Sequence, residues 1–102
     1  MSPDSIHNLI LYTDGKKPLL EGPIKALVER ALRNTPSRHP GLKILSYSIH
    51  PERVEVTLDL HRLDEDLARI LQLFKVEAKS LAKTGGFTEN HLWQWGYEEK
   101  GP

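Results

Sequence analysis

Cysteine is absent from the 102-residue chain. That excludes disulfide staples, thiolate metal sites and cysteine nucleophiles, and it fits a cytoplasmic protein. Net charge is also lacking: 14 Lys and Arg balance 14 Asp and Glu. Tight non-specific nucleic-acid binding usually rests on clustered basic charge, so any such role here needs a local basic face. No charged-then-apolar leader opens the sequence, and no apolar run reaches the roughly 18 residues of a membrane span. Secretion and membrane insertion are therefore disfavoured. Internal repeats and low-complexity tracts are missing too.

What remains is an ordinary globular balance, 38% hydrophobic and 27% charged. The length fits one compact domain over 1–102. IHNLILY, residues 6–12, is mostly apolar and reads as a buried strand. TDGKKP follows as a loop. Gly22-Pro23 marks a helix start, because proline at the first helical position has no N–H partner to lose. Ile24, Leu27, Val28, Ala31 and Leu32 make one apolar stripe on that helix. Pro36, Pro40 and Gly41 require it to end within 34–41.

LKILSYSIH, residues 42–50, reads as a second strand, and Pro51-Glu52 as a tight turn. In 53–60, Val54, Val56, Leu58 and Leu60 alternate with Arg53, Glu55, Thr57 and Asp59, so one face is buried and one polar. These two strands form an antiparallel hairpin. Asp64 is placed to cap a second helix of about 20 residues, roughly 30 Å long. Its apolar face is Leu67, Ile70, Leu71, Phe74, Ala78, Leu81 and Ala82, and Gly85-Gly86 stops it. LWQWGY, residues 92–97, is a last strand or an extended arm, and the tail after it is expected to fray. The order predicts an α+β, ferredoxin-like (βαββαβ) fold: an antiparallel sheet, with the 53–60 strand central, and two helices on one face.

Such a fold hosts many functions. Three segments narrow the choice. TDGKKPLL (13–20), LQLFKVEAKSLAK (71–83) and above all LWQWGY (92–97) resemble, in order, segments of the HUH-type single-strand tyrosine transposases of the insertion-sequence-200-like group. The likeness extends from about Leu9 to Gly96. It implies a homodimer with a joined sheet, and single-stranded or hairpin DNA as substrate. It also implies two metal-binding histidines flanking an apolar residue on the third strand. Period two would place both imidazoles on one face, roughly 7 Å apart, where the metal polarises a phosphate. Here the frame reads Pro51-Glu52-Arg53-Val54-Glu55, so Arg53 and Glu55 stand in the histidine positions. Arg53 has no lone pair to give, and a lone Glu55 beside it is a poor metal site. The nucleophilic tyrosine is implied on a helix beyond the arm, past Pro102. The expectation is a transposase-like domain that cannot cut DNA, needs no cofactor or metal, and keeps a DNA-binding or regulatory role. The alternative is a homodimeric interaction or scaffold module with no nucleic-acid function.

Each candidate residue also has a plainer reading. Arg53 and Glu55 suit a solvated sheet face; the functional alternative is a phosphate contact by Arg53. Lys75, Lys79 and Lys83 repeat every four residues, with Arg69 near them. They form a solvated helix face or a DNA-binding ridge. Trp93, Trp95 and Tyr97 either pack the arm, most naturally against a partner subunit, or stack on unpaired bases. His50 and His61 lack ligand spacing, and His7, His39 and His91 read as surface or loop residues. Tyr12, Tyr47 and Tyr97 have no flanking metal pair or base that would make them nucleophiles. An acylphosphatase would need a glycine-rich phosphate cradle that TDGKKPLL does not supply. An RNA reader of this fold would carry aromatics on RVEVTLDL, which has none.

Overall fold

The computed structural model describes residues 6–60 and 66–100. The chain runs β1 (Ile6–Tyr12), α1 (Gly22–Arg38), β2 (Lys43–His50), β3 (Arg53–Asp59), α2 (Leu67–Thr84) and β4 (Glu98–Lys100), with a 3-10 turn at Asp14–Lys16. The four strands form one antiparallel sheet in the order β2-β3-β1-β4. The third strand is central, as its alternation predicts.

Register sorts the two sheet faces. Leu9 pairs with Val56 and Leu11 with Val54, and all four are buried. They share one apolar cluster with Leu58, with Val28, Ala31 and Leu32 of α1, and with Leu71, Phe74, Ala78 and Ala82 of α2. Both helical stripes read from the sequence therefore cover the same sheet face. Arg53, Glu55 and Thr57 point the other way, onto a face that no helix of the described residues covers. The closeness of the helices is visible at Gly85, where an added Cβ would lie 2.5 Å from Leu27 Cδ1.

α1 ends at Arg38, inside the 34–41 stretch where the sequence requires it to stop, after passing through Pro36. Pro36 falls in the last turn, where a missing N–H costs a single bond, and the Thr35 hydroxyl donates to the Ala31 carbonyl at 3.0 Å. Asp64 lies outside the described residues. The cap of α2 is Asp66, whose carboxylate accepts the Ala68 N–H at 3.2 Å. LWQWGY is an arm, touching the sheet through the bridge Thr13–Trp93. The fourth strand comes instead from the segment expected to fray, with Asn8, Leu9 and Ile10 opposite Lys100, Glu99 and Glu98. Side chains make that possible: His7 Nδ1 sits 2.5 Å from Glu99 Oε2, and Lys100 Nζ 3.1 Å from Glu55 Oε1. His39, read as a surface or loop residue, lies in the loop that ends α1 and is buried there.

Candidate functional site: the open sheet face and the arm

Alternation puts Arg53 and Glu55 side by side on the open face while Val54 between them is fully buried. Their side chains are joined. Arg53 Nε donates to Glu55 Oε2 at 2.8 Å, and its Nη1 bonds the Glu52 carboxylate. The other Glu55 oxygen takes the Lys100 ammonium, and His50 Nε2 lies 3.3 Å from Oε2. Ser48 Oγ in turn meets His50 Nε2 at 3.1 Å. Glu55 is thus the node of the face. The Arg53 guanidinium first, then Lys100, hold its carboxyl below the usual value of 4.5. The same contact with Glu55 raises Arg53 above its ordinary value.

Beside this node is a shallow, mostly polar cavity of about 300 Å³, with Asn8, Ser46, Ser48, Thr57 and Lys100 in its wall. The loop after β1 borders the site. Thr13 is fully buried, with its hydroxyl 2.6 Å from the Lys17 carbonyl and its N–H on the Glu52 carbonyl at 3.0 Å. Leu20 N–H donates to the Pro51 carbonyl. These bonds tie TDGKKPLL to the β2–β3 turn.

The residues do not suit a divalent metal. Arg53 cannot ligate, and both Glu55 oxygens already face fixed cations. Among the described residues no three His, Asp or Glu side chains converge. His61 lies outside those residues.

The α2 lysines are placed differently from a free basic ridge. Lys75 is buried, and its ammonium donates to the Gln94 carbonyl at 3.0 Å and the Gly96 carbonyl at 2.5 Å. Burial pushes it below its ordinary value of 10.5. Lys79 donates to the Asn90 carbonyl. Lys83 and Arg69 are exposed. Lys75 and Lys79 therefore clasp the arm to α2, and Trp93 returns the contact by donating its indole N–H to the Lys75 carbonyl at 3.1 Å. The Trp93 ring tilts against Phe74 at 5.6 Å. The ring is partly buried against its own chain, on Phe74 next to the clasp residue Lys75. Trp95 is 96% exposed and Tyr97 38%. Sequence reading missed the Lys75 clasp and the Glu55 node. The signal for the first was Lys75 next to Phe74 on the apolar side of α2. The second depends on Lys100 arriving from 45 residues away.

No protein-family model matches the sequence, and no curated protein matches it significantly. Solved structures do share its architecture. A candidate transposase from Deinococcus radiodurans R1 superposes with a TM-score of 0.79 at 14% identity, covering 95% of this chain and 78% of that one. A REP-associated tyrosine transposase bound to a REP hairpin superposes with a TM-score of 0.69 at 16% identity, covering 94% of this chain. This chain spans 55% of the latter's length. The likeness establishes a common fold: an antiparallel four-stranded sheet with two helices, of the kind found in transposases.

Proposed function

We propose that this is a transposase-like domain of the HUH, insertion-sequence-200-like type that does not cut DNA and keeps a DNA-binding or regulatory role. The observation that carries the reading is the Arg53–Glu55 pair. The two positions where the resemblance expects metal-binding histidines lie together on the open face, and an ion pair of 2.8 Å fills them. A divalent cation there would have to displace two protein cations from one carboxylate, and among the described residues no set of three ligands would replace them. The element order with strands arranged β2-β3-β1-β4 supports a ferredoxin-like description of the fold.

DNA binding draws support from the solved transposase that carries a hairpin. On this chain the candidates divide by availability. Lys83 is exposed, and Lys79 has ammonium protons left after its bond to Asn90. Lys75 and Arg53 are committed to the arm and to Glu52 and Glu55, so they contribute potential rather than direct phosphate contacts. No helix of the described residues is long and apolar enough to cross a membrane; with the absence of cysteine this suits work beside DNA in the cytoplasm.

The test is hairpin DNA mixed with the purified chain and Mg²⁺ or Mn²⁺. Retarded mobility without nicking and without a covalent protein–DNA adduct is the expected result. A tyrosine-linked adduct would overturn the inactive reading.

A second reading, the homodimeric scaffold, is favoured by β2. It is an edge strand, paired among the described residues with β3 alone, and its bulge at Ile44/Ser46 turns Leu45 outward to 46% exposure. An unpaired edge of this length invites a second copy. Sedimentation at twice the 11.6 kDa chain mass would support it.

A further inference from the structure

The arm carries one side chain that is almost wholly exposed. Trp95 is 96% exposed, two residues after a tryptophan that packs on its own chain. It is nevertheless held in place. Gly96 has φ +81, a left-handed turn that a side chain would resist, and the carbonyls of Gln94 and Gly96 on either side of Trp95 both accept from Lys75. The backbone that presents the indole is therefore pinned from below, and little ordering remains to be done on binding.

The surroundings of the indole define what it suits. Trp95 borders a cleft of about 230 Å³ between α2 and the arm, together with Gln72, Val76, Lys79, His91 and Gln94. Lys75 and Lys79 bring positive charge, and no Asp or Glu is among the residues lining the cleft. In a chain whose charges balance to zero, this is a local basic patch. Lys79 gives one proton to Asn90 and has two to spare. A flat aromatic face, an ammonium with protons to spare within the same cleft, and side-chain amides without a competing carboxylate match an unpaired nucleotide. Its base can stack on the indole while its phosphate meets the cation. A protein partner would use the exposed ring equally well but has no need of an acid-free, cationic lining.

We propose that the cleft between α2 and residues 90–97 takes one unpaired nucleotide of a single strand, with its base stacked on Trp95 and its phosphate on Lys79. The proposal rests on the DNA-binding reading above and deepens it at Lys79, away from the sheet face of Arg53 and Glu55.

The test compares wild type with Trp95→Ala and Lys79→Gln, using a short oligothymidylate and, separately, a blunt-ended DNA hairpin. Trp95 is solvent-exposed, so its replacement leaves the fold intact, and circular dichroism verifies that. The oligothymidylate should quench indole fluorescence in wild type, and Trp95→Ala should bind it about 5- to 150-fold more weakly, the range for losing one stacked base. Lys79→Gln should lower the slope of log affinity against log salt by about 0.7, one phosphate contact on a single strand. Equal affinity of Trp95→Ala and wild type for the oligothymidylate overturns the proposal. So does a dimer that Trp95→Ala splits into monomers, since the ring would then belong to a subunit interface. Wild type that binds the hairpin but not the oligothymidylate defeats this proposal alone; wild type that binds neither defeats the DNA-binding reading as well.

Discussion

Replacing Lys75 by methionine isolates the clasp from the packing around it. Methionine keeps an unbranched apolar stem, so the helix face beside Phe74 stays filled, and only the ammonium is removed. Two bonds go with it, to the Gln94 and Gly96 carbonyls. Hydrogen bonds with a charged donor contribute about 1.5–3 kcal/mol each. Part of that sum returns, because a buried ammonium is no longer desolvated and the two carbonyls lie close enough to the surface to find water. A net loss of about 1–3 kcal/mol is expected, which lowers the melting temperature by at least about 4 °C for a domain of this size. The loss should be localised. The amides of Gln94, which donates to the Tyr12 carbonyl, and of Asp14, which donates to the Leu92 carbonyl, report on the arm. Both should exchange with deuterium faster in Lys75→Met than in wild type, while the β2–β3 ladder stays protected. The pH dependence carries a further signature. Burial lowers the folded-state value of Lys75 below 10.5, so between the lowered value and 10.5 the unfolded chain holds more protons and stability rises with pH. Wild type should gain on Lys75→Met across that window. If the variant melts within about 1 °C of wild type, with unchanged exchange at Gln94, the arm does not depend on Lys75 and the clasp is a mistaken account of it.

Other perturbations test the remaining parts. Glu55→Gln removes a carboxyl whose folded-state value is held below 4.5; the stability it supplies is present above that value and lost as pH falls through the lowered one, so acid titration of wild type should show a destabilisation that the variant lacks. Thr13→Val deletes the hydroxyl contact to the Lys17 carbonyl in a fully buried position, and chemical denaturation should register a loss of about 1–3 kcal/mol. Gly85→Ala puts a Cβ 2.5 Å from the Leu27 Cδ1 methyl; because that methyl ends a flexible, partly buried side chain that can turn aside, the same assay should register a loss below about 1 kcal/mol. Trp93→Ala strips the ring from Phe74 and should destabilise the monomer rather than merely shift an oligomeric equilibrium, which sedimentation and melting together distinguish.

Elements whose signal is local were legible in the sequence. Val54, Val56 and Leu58 announce a one-sided strand, and the burial of the helical stripes follows from spacing alone. The joint placement of Arg53 and Glu55 on the uncovered face came from period two. Signals that depend on distant partners were not legible. Glu98–Lys100 is polar throughout, and it pairs with β1 because His7 and Glu55 await Glu99 and Lys100 across the sheet. Lys75 reads as one of three equally spaced surface cations, but the arm closes over it and leaves Lys83 outside. Trp93 and Trp95 are alike in sequence, yet only the first faces Phe74.

The contacts of Glu55 bear on any attempt to engineer a cutting enzyme from this scaffold. A histidine at position 55 would leave Lys100 without its carboxylate on a strand of three residues, and a histidine at 53 would release Glu52 from its guanidinium. Each change that builds the metal site therefore loosens the last strand or the turn before β3. The two substitutions cannot be scored one at a time, because their costs meet in a shared network. A redesign has to treat positions 52, 53, 55 and 100 as one unit, choosing all four side chains together.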